Sequence, residues 1–334
     1  MKNSKLFQKK ILFICPAFNT YEQEIIKEMQ RRGADAHYIE DDFVSKRYRF
    51  INKISKKLLS KKIDLYWKSK QEEIKEIEYD FVFVIKGGEL TLNFLDNVKR
   101  RNNKAKFILY LWDSITNNRN ILNLLDFFDK VYSFDDQDCK KYNFLFRPTF
   151  YLEEERGNDL TTVYDLLFVG AYHSDRYNIL KKITADLPSE IEIKFILFTG
   201  KLSYLFNRYI TKKIESNNKI NFIFKRIDLS EVMILEEKSE VILDIHHNNQ
   251  SGLTQRAFNC LIKEKKLITT NSSIYKYDFY NPNNIMIVNR GVIKIDSSFF
   301  HGQYKKIDKK IIKKYSIEAW LSELFSNKKI GKVK

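Results

Sequence analysis

A chain of 334 residues with 43% apolar residues has enough to build folded cores, which excludes a disordered polypeptide. Its formal charge of +16 admits nucleic acid, an anionic membrane face or phosphorylated ligands as partners. Nucleic acid drops out because no motif interleaves basic and aromatic residues on one face. Cys15, Cys139 and Cys260 are odd in number and far apart, which argues against a disulfide framework or a zinc site and for a reducing, cytoplasmic setting.

In chain order, Lys10–Cys15 reads as a buried strand, too short for the core of a signal segment. Pro16-Ala-Phe-Asn-Thr follows, then a helix from Tyr21 to Arg32 that stops at Gly33. Ala36–Ile39 restarts as a strand, and residues 45 to 77, rich in lysine, have helical period. Tyr79–Ile85 is a continuous apolar strand ending at Lys86-Gly-Gly-Glu89, followed by a helix over Thr91–Arg101. Lys106–Trp112 ends at Asp113-Ser114, and Lys130–Phe134 ends at Asp135-Asp136. Continuous apolar strands alternating with helices are the pattern of a parallel sheet covered on both faces.

The rhythm breaks between Arg147 and Asp159, which places a domain boundary there. It restarts with strands at Asp165–Val169, Ile193–Phe198, Lys219–Phe224, Glu240–Ile245, Lys266–Thr270 and Ile285–Val288, helices lying between them. The expected organisation is an α/β chain of two Rossmann-like parallel-sheet domains, over 1–150 and 160–310, with a C-terminal helix and tail over 311–334. That helix, Ser316–Phe325, is amphipathic, with Ser316 as its N-cap. Glu318 and Glu323 argue against its lying on a membrane.

Ligands of open parallel sheets bind beyond the C-terminal ends of the strands. In the second half that rule selects Gly170, His173, Arg176 and His246, with Ser174 as the N-cap of a helix whose free N–H groups suit a phosphate. It also selects Ser251-Gly-Leu-Thr-Gln-Arg-Ala-Phe-Asn259, read as a turn and a helix preceded by Ser251 or Gly252. Leu253, Ala257, Cys260 and Leu261 would form its buried stripe, leaving Gln255 and Asn259 on a separate face with Arg256 beside them. In the first half Glu89 and Asp113 follow strands, so either can supply a catalytic base; the alternatives are a helix cap for Asp113 and a first-turn helix position for Glu89. Asp136-Gln-Asp138 spells a metal-binding D-x-D, but at a helix start acidic residues are ordinary caps, so no metal is expected.

Gly252-Leu-Thr-Gln-Arg-Ala-Phe-Asn259, followed by Lys266-Leu-Ile-Thr-Thr-Asn271, resembles the nucleotide-sugar region of GT-B glycosyltransferases of bacterial capsule and lipopolysaccharide synthesis. Tyr164–Arg176 and Tyr110-Leu-Trp-Asp-Ser114 fit the same branch. The resemblance covers most of the chain, loosely in the first half and better from Asp165 to Tyr280. It implies two domains facing across a cleft, with the acceptor on the first, the donor on the second and the last helix crossing back. It would put Gly170 near the diphosphate, Arg256 and the amides around Leu253 and Thr254 on phosphates, and Asn259 near the ribose. The family usually has glutamate where this chain has Asn259, and its small glycine-containing turn is replaced by Lys263-Glu-Lys-Lys266. The expected partners are a nucleotide-sugar donor and a glycan or lipid-linked acceptor, with peripheral contact to an anionic membrane. No cofactor is implied. The alternative is a catalytically degenerate nucleotide- or glycan-binding module in a glycan-assembly complex.

Overall fold

A computed structural model describes residues 4–18, 20–41, 56–152, 161–215 and 217–326. Most of the expected domain boundary, residues 153–160, lies outside the described residues, as do 45–55 of the lysine-rich stretch and the tail beyond 326. The chain divides into two compact units. One comprises Met1–Phe150, Asn249–Gly252 and Tyr315–Lys334; the other comprises Tyr151–Asn248 and Leu253–Lys314.

The first unit holds a six-stranded parallel sheet: β1 (Lys10–Cys15), β2 (Asp35–Glu40), β3 (Phe81–Ile85), β4 (Lys106–Leu111), β5 (Lys130–Ser133) and β6 (Leu145–Phe146). Their spatial order is β2-β1-β3-β4-β5-β6. Around it lie α1 (Tyr21–Arg31), α2 (Lys56–Glu73), α3 (Leu92–Arg101), α4 (Asp136–Tyr142) and a 3-10 segment over Arg119–Phe127. Ile11 to Ile14 and Val82 to Ile85 are wholly buried, because helices on both faces leave a central strand no solvent side. Thr91 starts α3 by accepting the N–H of Phe94 at 3.3 Å.

The C-terminal helix, Ile317–Leu324, crosses back to this sheet, and Ser316 caps it by accepting the Ala319 N–H at 3.1 Å. Trp320, Leu321 and Leu324 are fully buried, with the Trp320 ring 4.8 Å from Tyr110 and 4.7 Å from Phe150. Its apolar face is therefore consumed by the core. Among the described residues no helix is long and apolar enough to cross a membrane.

The second unit carries β7 (Tyr164–Ala171), β8 (Ile193–Phe198), β9 (Ile220–Ile223), β10 (Ser239–Asp244), β11 (Lys266–Thr269) and β12 (Ile285–Ile287). All are parallel, in the order β12-β11-β10-β7-β8-β9. Its helices include α5 (Arg176–Asp186), α6 (Lys201–Leu205), α7 (Leu229–Glu237) and α8 (Gln255–Lys263). Three local expectations need correction. β7 runs on through Gly170, which pairs with Leu197 instead of opening a loop. Ser174 takes a left-handed backbone (φ 54°), and Asp175 stands at the N-cap of α5. The helix α8 begins at Gln255 with Thr254 at its N-cap, so neither Ser251 nor Gly252 precedes it directly.

In each sheet the strand order reverses once, between β1 and β3 and between β7 and β10. Loops leaving such a pair go to opposite sides, which opens a crevice at their C-terminal ends.

Candidate functional site

The crevice of the second sheet is built around Phe168, buried in β7. Gly170 lies two residues on, and a Cβ there would come within 2.8 Å of the Phe168 ring and 3.4 Å of Arg176 Nη1. Glycine thus makes room for a ring and a guanidinium. Arg176 and Arg256 both lie over that ring, at 5.9 and 5.4 Å from its centre. Arg176 donates to the carbonyls of Ile245 (3.1 Å) and Ala171 (3.3 Å), binding the end of β7 to the end of β10. Burial and the neighbouring Arg256 draw its pKa down to about 10, which still leaves it charged at neutral pH.

Arg256 donates to the Val169 carbonyl and sits 3.5 Å from Asp244 Oδ1. Asp244 is 1% exposed and also accepts the hydroxyls of Thr254 (3.0 Å) and Thr269 (3.1 Å). Arg290 makes a forked pair with Asp175 at 2.7 and 2.9 Å and donates to the carbonyl oxygen of His246. Three guanidinium groups therefore meet two carboxylates, leaving a net positive charge at the crevice.

His246 Nδ1 lies 2.8 Å from Thr270 Oγ1 and 3.2 Å from Arg290 Nη2. A guanidinium only donates, so Nδ1 accepts and the ring is neutral with its proton on Nε2. Burial, then Arg290, lowers the His246 pKa to about 4, against the smaller opposing pull of Asp244 and Asp175. Desolvation, then Arg176 and His247, bring His173 to about 4 as well. His173 is nonetheless exposed, so the pH dependence rests on His246. A depressed histidine pKa contributes stability that is present above about 6.5 and lost as pH falls towards 4. Asp41, in the first unit, works in the opposite sense over an overlapping window, so a bulk melt blurs the two. We expect the His246 ring resonances in NMR to titrate near 4, and Arg290→Ala to move that midpoint upward towards 6.5. A wild-type midpoint at 6.5 would remove the Arg290 contact from the account.

The structure separates residues that are adjacent in sequence. Ala257, Cys260 and Leu261 are buried, as the helical spacing requires, whereas Leu253 is buried just ahead of the helix and not on its stripe. Asn259 is half-buried on α8. Ser251 and Gly252 belong instead to the first unit, where the Ser251 N–H (2.6 Å), its hydroxyl (2.6 Å) and the Gly252 N–H (3.3 Å) all donate to Asp135. A Cβ on Gly252 would come within 2.4 Å of the Phe134 ring, so this glycine serves packing there.

In the first unit a cavity of about 510 Å³ lies at the β1–β3 crevice, lined by Pro16, Asp41, Lys86, Gly88, Glu89 and Asn118 among others. Asp41 is 2% exposed and accepts the N–H groups of Gly88 (3.0 Å) and Glu89 (3.1 Å). Burial raises its pKa to about 7, against the lowering effect of those two bonds. Its contribution to stability is present below about 3.9 and is lost as pH rises through 7. Asn118 steadies the same loop by donating to the Lys86 carbonyl at 2.8 Å.

Glu89 thus stands on the cavity wall, whereas Asp113 is not among the residues lining it. Asp113 Oδ1 accepts from Ser114 N (3.0 Å), Asn117 Nδ2 (2.8 Å) and Gln250 Nε2. Asp136 pairs with Lys140 at 3.1 Å, and Asp138 accepts the Ile115 N–H at 2.7 Å, so the two carboxylates are committed separately. Among the described residues no group of three or more His, Cys, Asp or Glu is placed to hold a metal ion.

The sequence singled out neither Asp41, Asp244 nor Arg290, and Asp175 stood in a selected loop without a role. Asp41 and Asp244 end strands and were open to the strand-end rule. Arg290 lies beyond β12, and nothing local marks it.

No protein-family model and no curated protein sequence matches this chain. Its fold is similar to that of a glycosyltransferase from Rickettsia africae ESF-5, at 12% identity and a TM-score of 0.51, over 96% of this chain and 100% of that one. It is equally similar to UDP-N-acetylglucosamine 2-epimerase from Rickettsia bellii, at 9% identity and a TM-score of 0.52, over 95% and 96%. At these identities the likeness is one of fold, and the α/β fold with two Rossmann-like parallel sheets is the one expected. Accessory secretory protein 1, 2 and 3 of Streptococcus pneumoniae gives a TM-score of 0.44 at 11% identity; the chain covers 78% of itself and 57% of that longer chain.

Proposed function

We propose that this chain is a glycosyltransferase that moves a sugar from a nucleotide-sugar donor to a glycan or lipid-linked glycan acceptor in bacterial surface-polysaccharide synthesis. The observation that carries the reading is the net positive crevice at the C-terminal ends of β7 and β10. Arg176, Arg256 and Arg290 converge there with a neutral His246. Such a site suits a nucleoside diphosphate. As the glycosidic bond to phosphate breaks, negative charge grows on the departing diphosphate, and preorganised guanidinium groups stabilise it. Asn259 would approach the ribose, and the resemblance of Gly252–Asn259 supplies the surface-glycan assignment. In the first unit the cavity of Asp41, Lys86 and Glu89 would receive the acceptor hydroxyl. Asp41, titrating near 7, and Glu89 are the carboxylates placed there to take its proton. Asp113, with one oxygen engaged by three donors, is the weaker base.

Calorimetric titration with nucleoside diphosphates tests the donor site. Arg290 pairs with a half-buried Asp175 and contributes little to the core, so Arg290→Ala should fold. Losing its charge-assisted contact should weaken diphosphate affinity by about ten- to a hundredfold. Asn259→Glu, which restores the family's residue, should preserve or strengthen nucleotide binding. If no nucleoside diphosphate binds the wild-type chain, the reading fails. Binding without turnover of any nucleotide sugar would instead favour the non-catalytic module, to which the departure at Asn259 already points.

A further inference from the structure

An amphipathic helix ordinarily turns its apolar stripe to the core. One segment of the second unit does the reverse. The helix α6 continues without a break into a π-helical turn over Phe206–Ile210, closed by the Thr211 N–H on the Phe206 carbonyl at 3.0 Å. Along it Leu202, Leu205, Phe206, Tyr209 and Ile210 follow the i, i+3, i+4, i+7, i+8 pattern. All five face solvent: Leu202 is 83% exposed, Tyr209 67% and Ile210 69%. The orientation is fixed from the other side, where Tyr204 packs on Phe222 at 5.0 Å and on Phe224 at 5.3 Å. Contiguous exposed apolar surface of this kind marks an interaction site.

The surrounding charge identifies the occupant. Residues 201 to 213 contain Lys201, Arg208, Lys212 and Lys213 and no acidic residue, and Lys225 and Arg226 follow directly after the exposed Phe224. Glu215, the nearest acidic residue along the chain, is paired with Lys181 at 2.6 Å. A predominantly basic rim around protruding apolar tips complements a fluid, uniformly anionic plane. A protein surface would present shaped pockets and charges of both signs. We propose that this face docks on an anionic phospholipid bilayer, with the stripe entering the boundary between headgroups and acyl chains and the basic residues meeting lipid phosphates. The inference stands apart from the nucleotide-sugar reading, because no residue of either crevice takes part.

Co-sedimentation of the full chain with sucrose-loaded vesicles tests it. The wild type should pellet with vesicles of phosphatidylcholine and phosphatidylglycerol and remain in solution with phosphatidylcholine alone. Leu202→Ser with Ile210→Ser leaves the net charge at +16 and touches no core, so the melting temperature should hold while partitioning falls by about tenfold or more. Lys212→Ala with Lys213→Ala should reduce it by about twenty-fivefold. Absence of wild-type binding, or equal binding to neutral vesicles, would overturn the proposal. Full binding by the serine variant would also overturn it, since charge elsewhere would then suffice. So would a self-association that the serine variant abolishes in a chain that ignores vesicles, because the stripe would then belong to a second copy.

Discussion

Arg256→Ala is expected to destabilise the protein by about 3 kcal/mol, as well as to weaken diphosphate binding. The resemblance assigned this arginine to a phosphate of the ligand alone. The structure gives it protein partners: the Val169 carbonyl, the Phe168 ring and Asp244, a carboxylate with 1% of its surface exposed. Removing the guanidinium leaves that carboxylate buried with only the hydroxyls of Thr254 and Thr269 and a more distant Arg176 to offset its charge. The 3.5 Å separation and the partial exposure of Arg256 place the loss at the lower end of the range for broken buried pairs. A double-mutant cycle identifies the cause. Asp244→Asn added to Arg256→Ala removes the stranded charge and should restore part of the stability, read from urea unfolding midpoints. If Arg256→Ala keeps the wild-type midpoint, the ion pair contributes nothing and the arginine serves ligand alone.

The second large effect falls on Asp135. Its carboxylate is 2% exposed and accepts five bonds: from the N–H groups of Gln137 (2.9 Å) and Asp138 (3.2 Å) at the start of α4, and from Ser251 N, Ser251 Oγ and Gly252 N. Asp135→Ala strands several donors away from water, at about 1–3 kcal/mol each before relaxation. Some regain a partner, since Gln137 N already lies 3.3 Å from Ser251 Oγ. A net loss of about 4 kcal/mol is expected. Asp135→Asn should be intermediate, because one acceptor oxygen becomes an NH₂ group facing donors. Hydrogen exchange at the amides of Ser251 and Gly252 gives the local readout, and both should lose protection. If Asp135→Ala falls within 1 kcal/mol of wild type, this carboxylate does not hold the 249–252 segment.

What was legible in the sequence was what neighbouring residues settle among themselves. Apolar runs at Lys10–Cys15, Tyr79–Ile85 and Lys106–Trp112 announce strands buried on both faces, because runs of strand length alternating with helical segments suit a sheet covered on both sides. The spacing of Ala257, Cys260 and Leu261 fixes one face of α8 in the same way. Ser316 and the apolar positions after it likewise specify the C-terminal helix and its buried side. Boundaries were less secure where backbone geometry intervened, as at Ser174, whose left-handed backbone moved the start of α5.

Everything that depends on which strands are neighbours was decided only in three dimensions. Strand order creates the crevices at β1–β3 and β7–β10, and no local pattern encodes it. It brings Asp41 of one loop against the amides of Gly88 and Glu89, and Arg290 against Asp175 and His246 across more than forty residues. It gives Ser251 and Gly252 to one unit and Leu253 to the other, although the three are consecutive. Periodicity also states that Leu202, Phe206, Tyr209 and Ile210 share a helical face without stating where that face points. The outward turn is set by Tyr204 packing on Phe222 and Phe224, a contact between distant parts of the chain, and so belongs to the tertiary structure alone.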